Sequence, residues 1–370
     1  MNYKETLFFV AKCLTISLEE EHKKEIEEQL KTNKIDWDSV VKVSTAHYVF
    51  PALYCNLKRV GFLHYLPIEL VEYMKHITDL NRDRNEQIIA QAKEINTLLL
   101  DNNITPIFLK GTGNLLEGLY EDVAERMVGD IDFIFSKEEY PKAIKILTKN
   151  KYSKVHDITY DLPMFKHYPR LQKEHRIAAV EIHKEMLLEK YADEFNYSVI
   201  RETALKIDNI TVMSYSNQLC LSIIAKQVND NGIHFKNIAL RNAYDVFLLS
   251  KKTTAKNAFD NYKKLYNPLN CFLATCYETF GKSASLTYKE TPETKAYLTT
   301  FYSYLTNESL RKKDHRKTER NLFIKSRLGV LYQSIVKKEH RNWLLKRITD
   351  KKWQQEKLIQ LGLKKSKPNS

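Results

Sequence analysis

Residues 107–135, IFLKGTGNLLEGLYEDVAERMVGDIDFIF, break the helical period of the chain on either side of them. The run TPIFL at 105–109 is β-rich, and Gly111 ends it. Leu115, Leu116, Leu119 and Tyr120 then mark a short helix that Thr112 or Asn114 can cap. Residues 127–135 alternate around Asp130 and Asp132 as a second strand. Four of the nine glycines of this 370-residue chain, Gly111, Gly113, Gly118 and Gly129, fall in the stretch. A chain that uses glycine sparingly and gathers it here has backbone that turns tightly or approaches a ligand closely.

The flanks read as helices. Residues 3–18 are helical in period and 19–31 are strongly charged. Trp37, Val40, Val41, Val43, Tyr48 and Leu53 share a helical face that Pro51 interrupts or kinks. Pro67 suits the start of a helix at 68–80, and 85–102 forms another that Asn102 and Asn103 can end. After the central stretch come a helix at 137–149, a polar-aromatic β-hairpin arm at 160–171 and a third strand at 176–182. Helices return at 217–227, 238–249, 257–280 and 292–305. The expected fold is therefore α+β, a small mixed β-sheet core flanked by helical regions. Its expected parts are a helical region at 1–100, the core at 101–205, a helical region at 206–306 and a basic helical tail at 307–370.

The net charge of +13 is concentrated. Residues 307–370 hold 19 Lys and Arg against 6 Asp and Glu, which leaves 40 of each in 1–306. Such a segment steers toward polyanions, RNA or DNA, or is a solvated helical face. Leu328, Leu331, Tyr332, Ile335, Trp343, Leu344, Ile348 and Trp353 predict amphipathic helices docked on the body with their basic residues outward. Residues 363–370 read as disordered. No membrane span or signal peptide is expected. Five scattered cysteines without a CxxC pair indicate buried thiols in a reducing cytoplasm.

Asp130 and Asp132 project from one face of their strand, about 6–7 Å apart at Cα. Two carboxylates so placed can bracket two divalent ions about 3.5–4 Å apart, the arrangement that phosphoryl transfer uses. Mg²⁺ suits such an open site, with Mn²⁺ as the alternative. Burying two aspartates in an apolar run is costly unless something compensates. Upstream, Lys110, Gly111 and Thr112 open a helix whose backbone N–H groups can cradle a phosphate, with Lys110 as a point charge. The turn is neither a P-loop nor a dinucleotide fingerprint, and a purely structural turn is the other reading. Glu181, in VEIH at 180–183, is the candidate third metal ligand and a candidate base for an acceptor hydroxyl, or else an edge-strand glutamate facing water. His183 shares its face and can orient a ligand, contact the acceptor or be structural. Arg126 can pair with a phosphate, with Asp130 or in an orienting ion pair. His167 can project into the same cleft or sit on the hairpin surface.

Leu109-Lys110-Gly111, Leu119-Tyr120, Arg126, Asp130-Ile131-Asp132 and Glu181-Ile182-His183 follow one another in an order that resembles nucleotidyltransferase family 5, uncharacterised bacterial members of the DNA polymerase β-like superfamily. The resemblance spans roughly residues 30–250 and includes LRNAYDVFLL at 240–249. It implies a nucleotidyltransferase that takes a nucleoside triphosphate such as ATP, with two Mg²⁺ ions held by Asp130, Asp132 and Glu181. Lys110, Gly111, Thr112 and Arg126 would bind the nucleotide, and His167 and His183 would contact or orient the acceptor. The superfamily places Gly-Ser at the turn, where this chain has Gly111-Thr112. The acceptor it leaves open: RNA or tRNA through the basic tail, a small molecule, or a protein. A non-catalytic nucleotide- or RNA-binding protein on the same fold is the contrasting expectation, and a metal-dependent nuclease a more distant one.

Overall fold

The structure is a computed structural model that describes residues 1–155, 166–187, 190–351, 354, 355 and 358. The first part of the expected hairpin arm (160–165), Trp353 and residues 363–370 lie outside the described residues. The fold is α+β, as expected.

The N-terminal region is helical. α1 (Tyr3–Cys13) starts at a reciprocal cap between Asn2 and Glu5. α2 (Glu20–Lys31) follows. α3 (Trp37–Ala46) and α4 (Phe50–Arg59) are separate helices, because Pro51 falls in the first turn of α4, where its missing N–H costs nothing. α5 (Ile68–Leu100) is a single helix of 33 residues where two were expected. It contains no glycine or proline to break it. Beyond its end Asn103 takes a left-handed conformation, and Ile104 N–H returns to the Leu99 carbonyl.

Among the described residues the sheet has seven strands, in the order β3-β4-β5-β2-β1-β7-β6. These are β1 (Ile107–Phe108), β2 (Asp130–Ile134), β3 (Ser153–Lys154), β4 (Leu171–Gln172), β5 (Ala179–His183), β6 (Leu205–Ile207) and β7 (Ile210–Val212). β2 lies antiparallel to β1 and parallel to β5. α6 (Lys110–Leu116) and α7 (Tyr140–Lys149) lie between strands in sequence, and α8 (Tyr197–Glu202) precedes β6. The β6–β7 hairpin was not foreseen, because it is only three residues per strand; β7 adds to the β1 edge in parallel.

Helices then resume: α9 (Tyr215–Ile224), α10 (Gly232–Phe235), α11 (Leu240–Ser250), α12 (Tyr266–Thr279) and α13 (Pro292–Thr306). A π-turn at Ala225–Asn229 extends α9, a departure from regular helix that often marks a functional site. α1 packs on α12 and α13, joining the two helical regions. All five cysteines are free and buried. No described helix is long and apolar enough to cross a membrane.

The basic tail departs from expectation. α14 (Glu308–Val336) and α15 (Lys338–Thr349) are helical, and Trp343 is buried. However, Leu328 is 61% exposed and Ile335 75% exposed, and Leu331, Tyr332 and Ile348 are also exposed. The start of α14 packs on α13, but among the described residues nothing covers the apolar side of its second half. Both segments are helical, as their period implies, but a period cannot say what covers the face it defines.

Glu117, at the end of α6, is half-buried against Gln218 of α9, which donates to one of its oxygens; its buried Oε1 has no partner among the described residues. Burial pushes its carboxyl up to about 8, against the smaller opposing effects of Gln218 and Lys252. The folded chain thus keeps this proton where the unfolded chain, near pH 4.3, has lost it. The contribution of Glu117 to stability should be full below that pH, fall as pH rises toward 8, and be lost above it. Urea midpoints of wild type and Glu117→Gln across pH 4–9 check this; the variant should show a flatter profile.

Candidate active site

The carboxylates meet because β2 and β5 run parallel in one register. Asp132 lies opposite Glu181, and Ile134 opposite His183. Side chains two residues apart share a face, so Asp130, Asp132, Glu181 and His183 all project to the same side of the sheet. Asp132, Glu181 and His183 are buried, and each brings a potential ligand atom within 4.8 Å of the others. This is the one such group among the described residues. Asp130 stands outside that trio, 30% exposed at its side chain.

Two cations and a ring hold the acids in place. Lys110 Nζ donates to Asp132 Oδ1 at 2.6 Å and lies 3.6 Å from Glu181 Oε2. Arg170 Nη2 bridges Asp130 Oδ2 at 2.9 Å and Glu181 Oε1 at 2.7 Å. His183 Nε2–H donates to Asp132 Oδ1 at 2.9 Å, and its buried Nδ1 has no partner among the described residues. Burial raises the Glu181 carboxyl, but the His183 hydrogen bond, the Lys110 charge and Arg170 outweigh it and hold it well below the usual range. Asp130 goes the other way: burial raises it, Arg170 opposes, and the charges of Glu181 and Asp132 add to the rise. Burial works against the Lys110 charge, yet Asp132 and Glu181 raise its pKa. The donor set fits a divalent cation: oxygen ligands for Mg²⁺ or Mn²⁺, with the His183 imidazole beside them.

The glycine turn works differently from its sequence reading. The left-handed backbone falls at Lys110, with φ 52°, and not at Gly111 or Gly113. A non-glycine residue held there costs about 1–3 kcal/mol, and such strain gathers at functional sites. It aims the amine at Asp132. Gly111 is glycine because a Cβ would come within 2.8 Å of Val128 Cγ2, and Gly113 because one would meet the Phe108 carbonyl oxygen at 3.0 Å. The Thr112 hydroxyl is fully buried and donates to the Asp130 carbonyl at 2.7 Å. It fixes the start of β2 and does not line the cavity.

Arg126 pairs with neither Asp130 nor the sheet carboxylates. Its Nε–H reaches both oxygens of Asp245 on α11, at 3.0 and 3.1 Å, and Tyr120 Oη–H donates to Asp245 at 2.7 Å. All three residues are buried. Asn85 of α5 donates to the carbonyls of Val123 and Arg126, each at 2.6 Å, so the long helix anchors the turn before β2. His167 is half-buried, its Nδ1–H donates to its neighbour's carbonyl at 2.8 Å, and its ring centre lies 5.2 Å from that of His183. Burial lowers its pKa.

These groups surround a cavity of about 300 Å³ lined by Lys110, Gly111, Arg126, both aspartates, Glu181, His167 and His183. Lys166, Asn229, Asp230, Arg241 and Asn242 complete it. Lys166 Nζ donates to Asn229 Oδ1 at 2.6 Å, and Arg241 stacks on the Tyr48 ring with 5.1 Å to its centre. Burial lowers the pKa of both cations, helped by Lys110 at Lys166 and by Arg126 at Arg241. Sequence reasoning missed Arg170 and these α9–α11 residues. One signal was present: Asp245, an acid inside the apolar run LRNAYDVFLL, must find a buried partner.

No curated protein and no solved structure matches the chain. The model of a family described as uncharacterised nucleotidyltransferase matches residues 33–280, more than half of the chain and every residue of the cavity above. The chain belongs to that nucleotidyltransferase family.

Proposed function

We propose that this chain is a Mg²⁺-dependent nucleotidyltransferase that moves a nucleoside monophosphate from a triphosphate to an acceptor hydroxyl. The observation that carries the reading is the Asp132–Glu181 register pair, buried with His183 and facing a cavity rich in cations. Asp130, Asp132 and Glu181 would hold the metal, which when bound supplies charge neutralisation at the phosphates. Lys110, Gly111, Lys166, Arg126 and Arg241 line the space for the triphosphate. Lys110 and Arg170 neutralise the acids themselves, and either cation would be placed to meet phosphate oxygens were a divalent ion to take over the carboxylates. Thr112 acts through Asp130 by fixing its backbone.

The acceptor oxygen attacks the α-phosphorus, the bond from that phosphorus to the bridging oxygen breaks, and pyrophosphate leaves. Glu181 is engaged by Arg170 and Lys110, so His167, on the cavity wall and with its pKa lowered by burial, is the base we favour, and His183 orients Asp132. RNA is the acceptor class the +13 tail favours. A second reading, a non-catalytic nucleotide- or RNA-binding protein, draws on the same ion pairs, because Lys110 and Arg170 balance the carboxylates without metal.

The test is transfer of α-labelled triphosphates, with Mg²⁺, onto separate RNA, protein and metabolite fractions. Wild type should label one fraction and the Asp130→Asn/Asp132→Asn variant none. Equal labelling by the two would overturn the assignment.

A further inference from the structure

A second cavity, of about 570 Å³, lies where the start of α1, the end of α3, the loop after α10 and the first turns of α14 converge. It shares no lining residue with the carboxylate cavity. Lys236, Arg311, Lys312 and Arg316 face it, against one lining acid among the described residues, Glu319. Glu308 sits behind, 3.6 Å from Arg311 and 3.0 Å from Lys312, but it is 65% exposed and offsets little of their charge.

The donors are arranged rather than scattered. Arg311 lies over the Tyr3 ring, 5.2 Å from its centre, which holds the guanidinium plane in place. His47 Nδ1 accepts from Leu240 N–H at 3.2 Å, so the neutral ring carries its proton on Nε2. That nitrogen is 3.3 Å from Tyr3 Oη and donates to it, which leaves the Tyr3 hydroxyl proton for another acceptor. Burial, helped by Lys226, lowers the His47 pKa to about 4, so this hydrogen-bond direction holds at neutral pH. A cavity of this size takes a small molecule, and several cations with one hydroxyl donor select a multiply charged anion.

We propose that this cavity is a binding site for a small phosphorylated ligand, separate from the carboxylate cavity. The test is calorimetry in metal-free buffer with inorganic phosphate, inorganic pyrophosphate and AMP as probes. At least one should bind more tightly than about 1 mM. Lys312→Glu/Arg316→Glu, two exposed positions whose change leaves the fold intact, should weaken that binding by about tenfold or more, as expected for lost charged hydrogen bonds. Tyr3→Phe should weaken it by about threefold, the effect of one neutral donor. Lys166→Ala/Arg241→Ala, in the other cavity, should leave it within about twofold. Binding of none of the probes, or binding lost in the Lys166/Arg241 variant and kept in the Lys312/Arg316 variant, overturns the proposal. No transfer is measured, so the outcome is independent of the catalytic assignment.

Discussion

Asp132→Asn is expected to lower nucleotidyl transfer by about 10²–10³-fold, the size of effect seen when one preorganised electrostatic group is removed from an active site. The same change at Asp130 should cost less. Asp132 is the buried aspartate, belongs to the trio within 4.8 Å, and takes hydrogen bonds from both Lys110 and His183. Asp130 is more exposed, answers to Arg170 and has a raised pKa. Asparagine keeps an oxygen for His183 but gives up the charge that a cation needs. Initial rates with labelled triphosphate, together with Mn²⁺ binding followed by electron paramagnetic resonance, check the ranking. Wild-type rates in Asp132→Asn would remove this residue from the chemistry.

Asp245→Ala should destabilise the fold by about 3–5 kcal/mol, because it leaves the Arg126 guanidinium buried without its counter-charge. Asp245 is 2% exposed and also accepts from Tyr120, so two buried donors lose their partner at once. Asp245→Asn retains an acceptor and should cost less. Urea unfolding of the three proteins measures the difference. A loss below about 1 kcal/mol in the alanine variant would mean that water or a rearranged side chain satisfies Arg126. Because Arg126 lines the carboxylate cavity, the surviving folded fraction of Asp245→Ala should also bind nucleotide more weakly.

What could be read from the sequence divides by distance along the chain. Lys110, Asp130 and Asp132 lie within one strand-helix-strand unit, where a change of hydrophobic period and two acids in an apolar run are local signals. Glu181 was reached by the same kind of signal, an acid between Val180 and Ile182. Its pairing with Asp132 needed a parallel register that no local pattern encodes. The glycines allow a structural turn or a ligand contact, because a missing side chain does not reveal what stands close to it; Gly111 packs on Val128 and also lines the cavity, while Gly113 packs on the Phe108 carbonyl. Arg170 adjoins a two-residue strand, and Asn229, Asp230 and Arg241 come from helices some hundred residues beyond the turn. Tertiary packing alone delivers them, and no spacing announces it.

The uncovered face of α14 has a consequence for how the molecules behave toward one another in solution. Ile324, Leu328, Leu331 and Ile335 follow a spacing of four, three and four residues, with Arg320, Lys325 and Arg327 beside them. Two copies meeting by this face bring apolar groups together and like charges together in the same encounter. Repulsion reaches about 30 Å at 10 mM ionic strength and only about 8 Å at 150 mM, while apolar attraction does not depend on that screening. Added NaCl should therefore make this protein more prone to associate, the reverse of a complex held by opposite charges. Light scattering between 10 and 300 mM NaCl, roughly the range over which the screening length changes most, should show the rise, and Leu328→Lys/Ile335→Lys should abolish it.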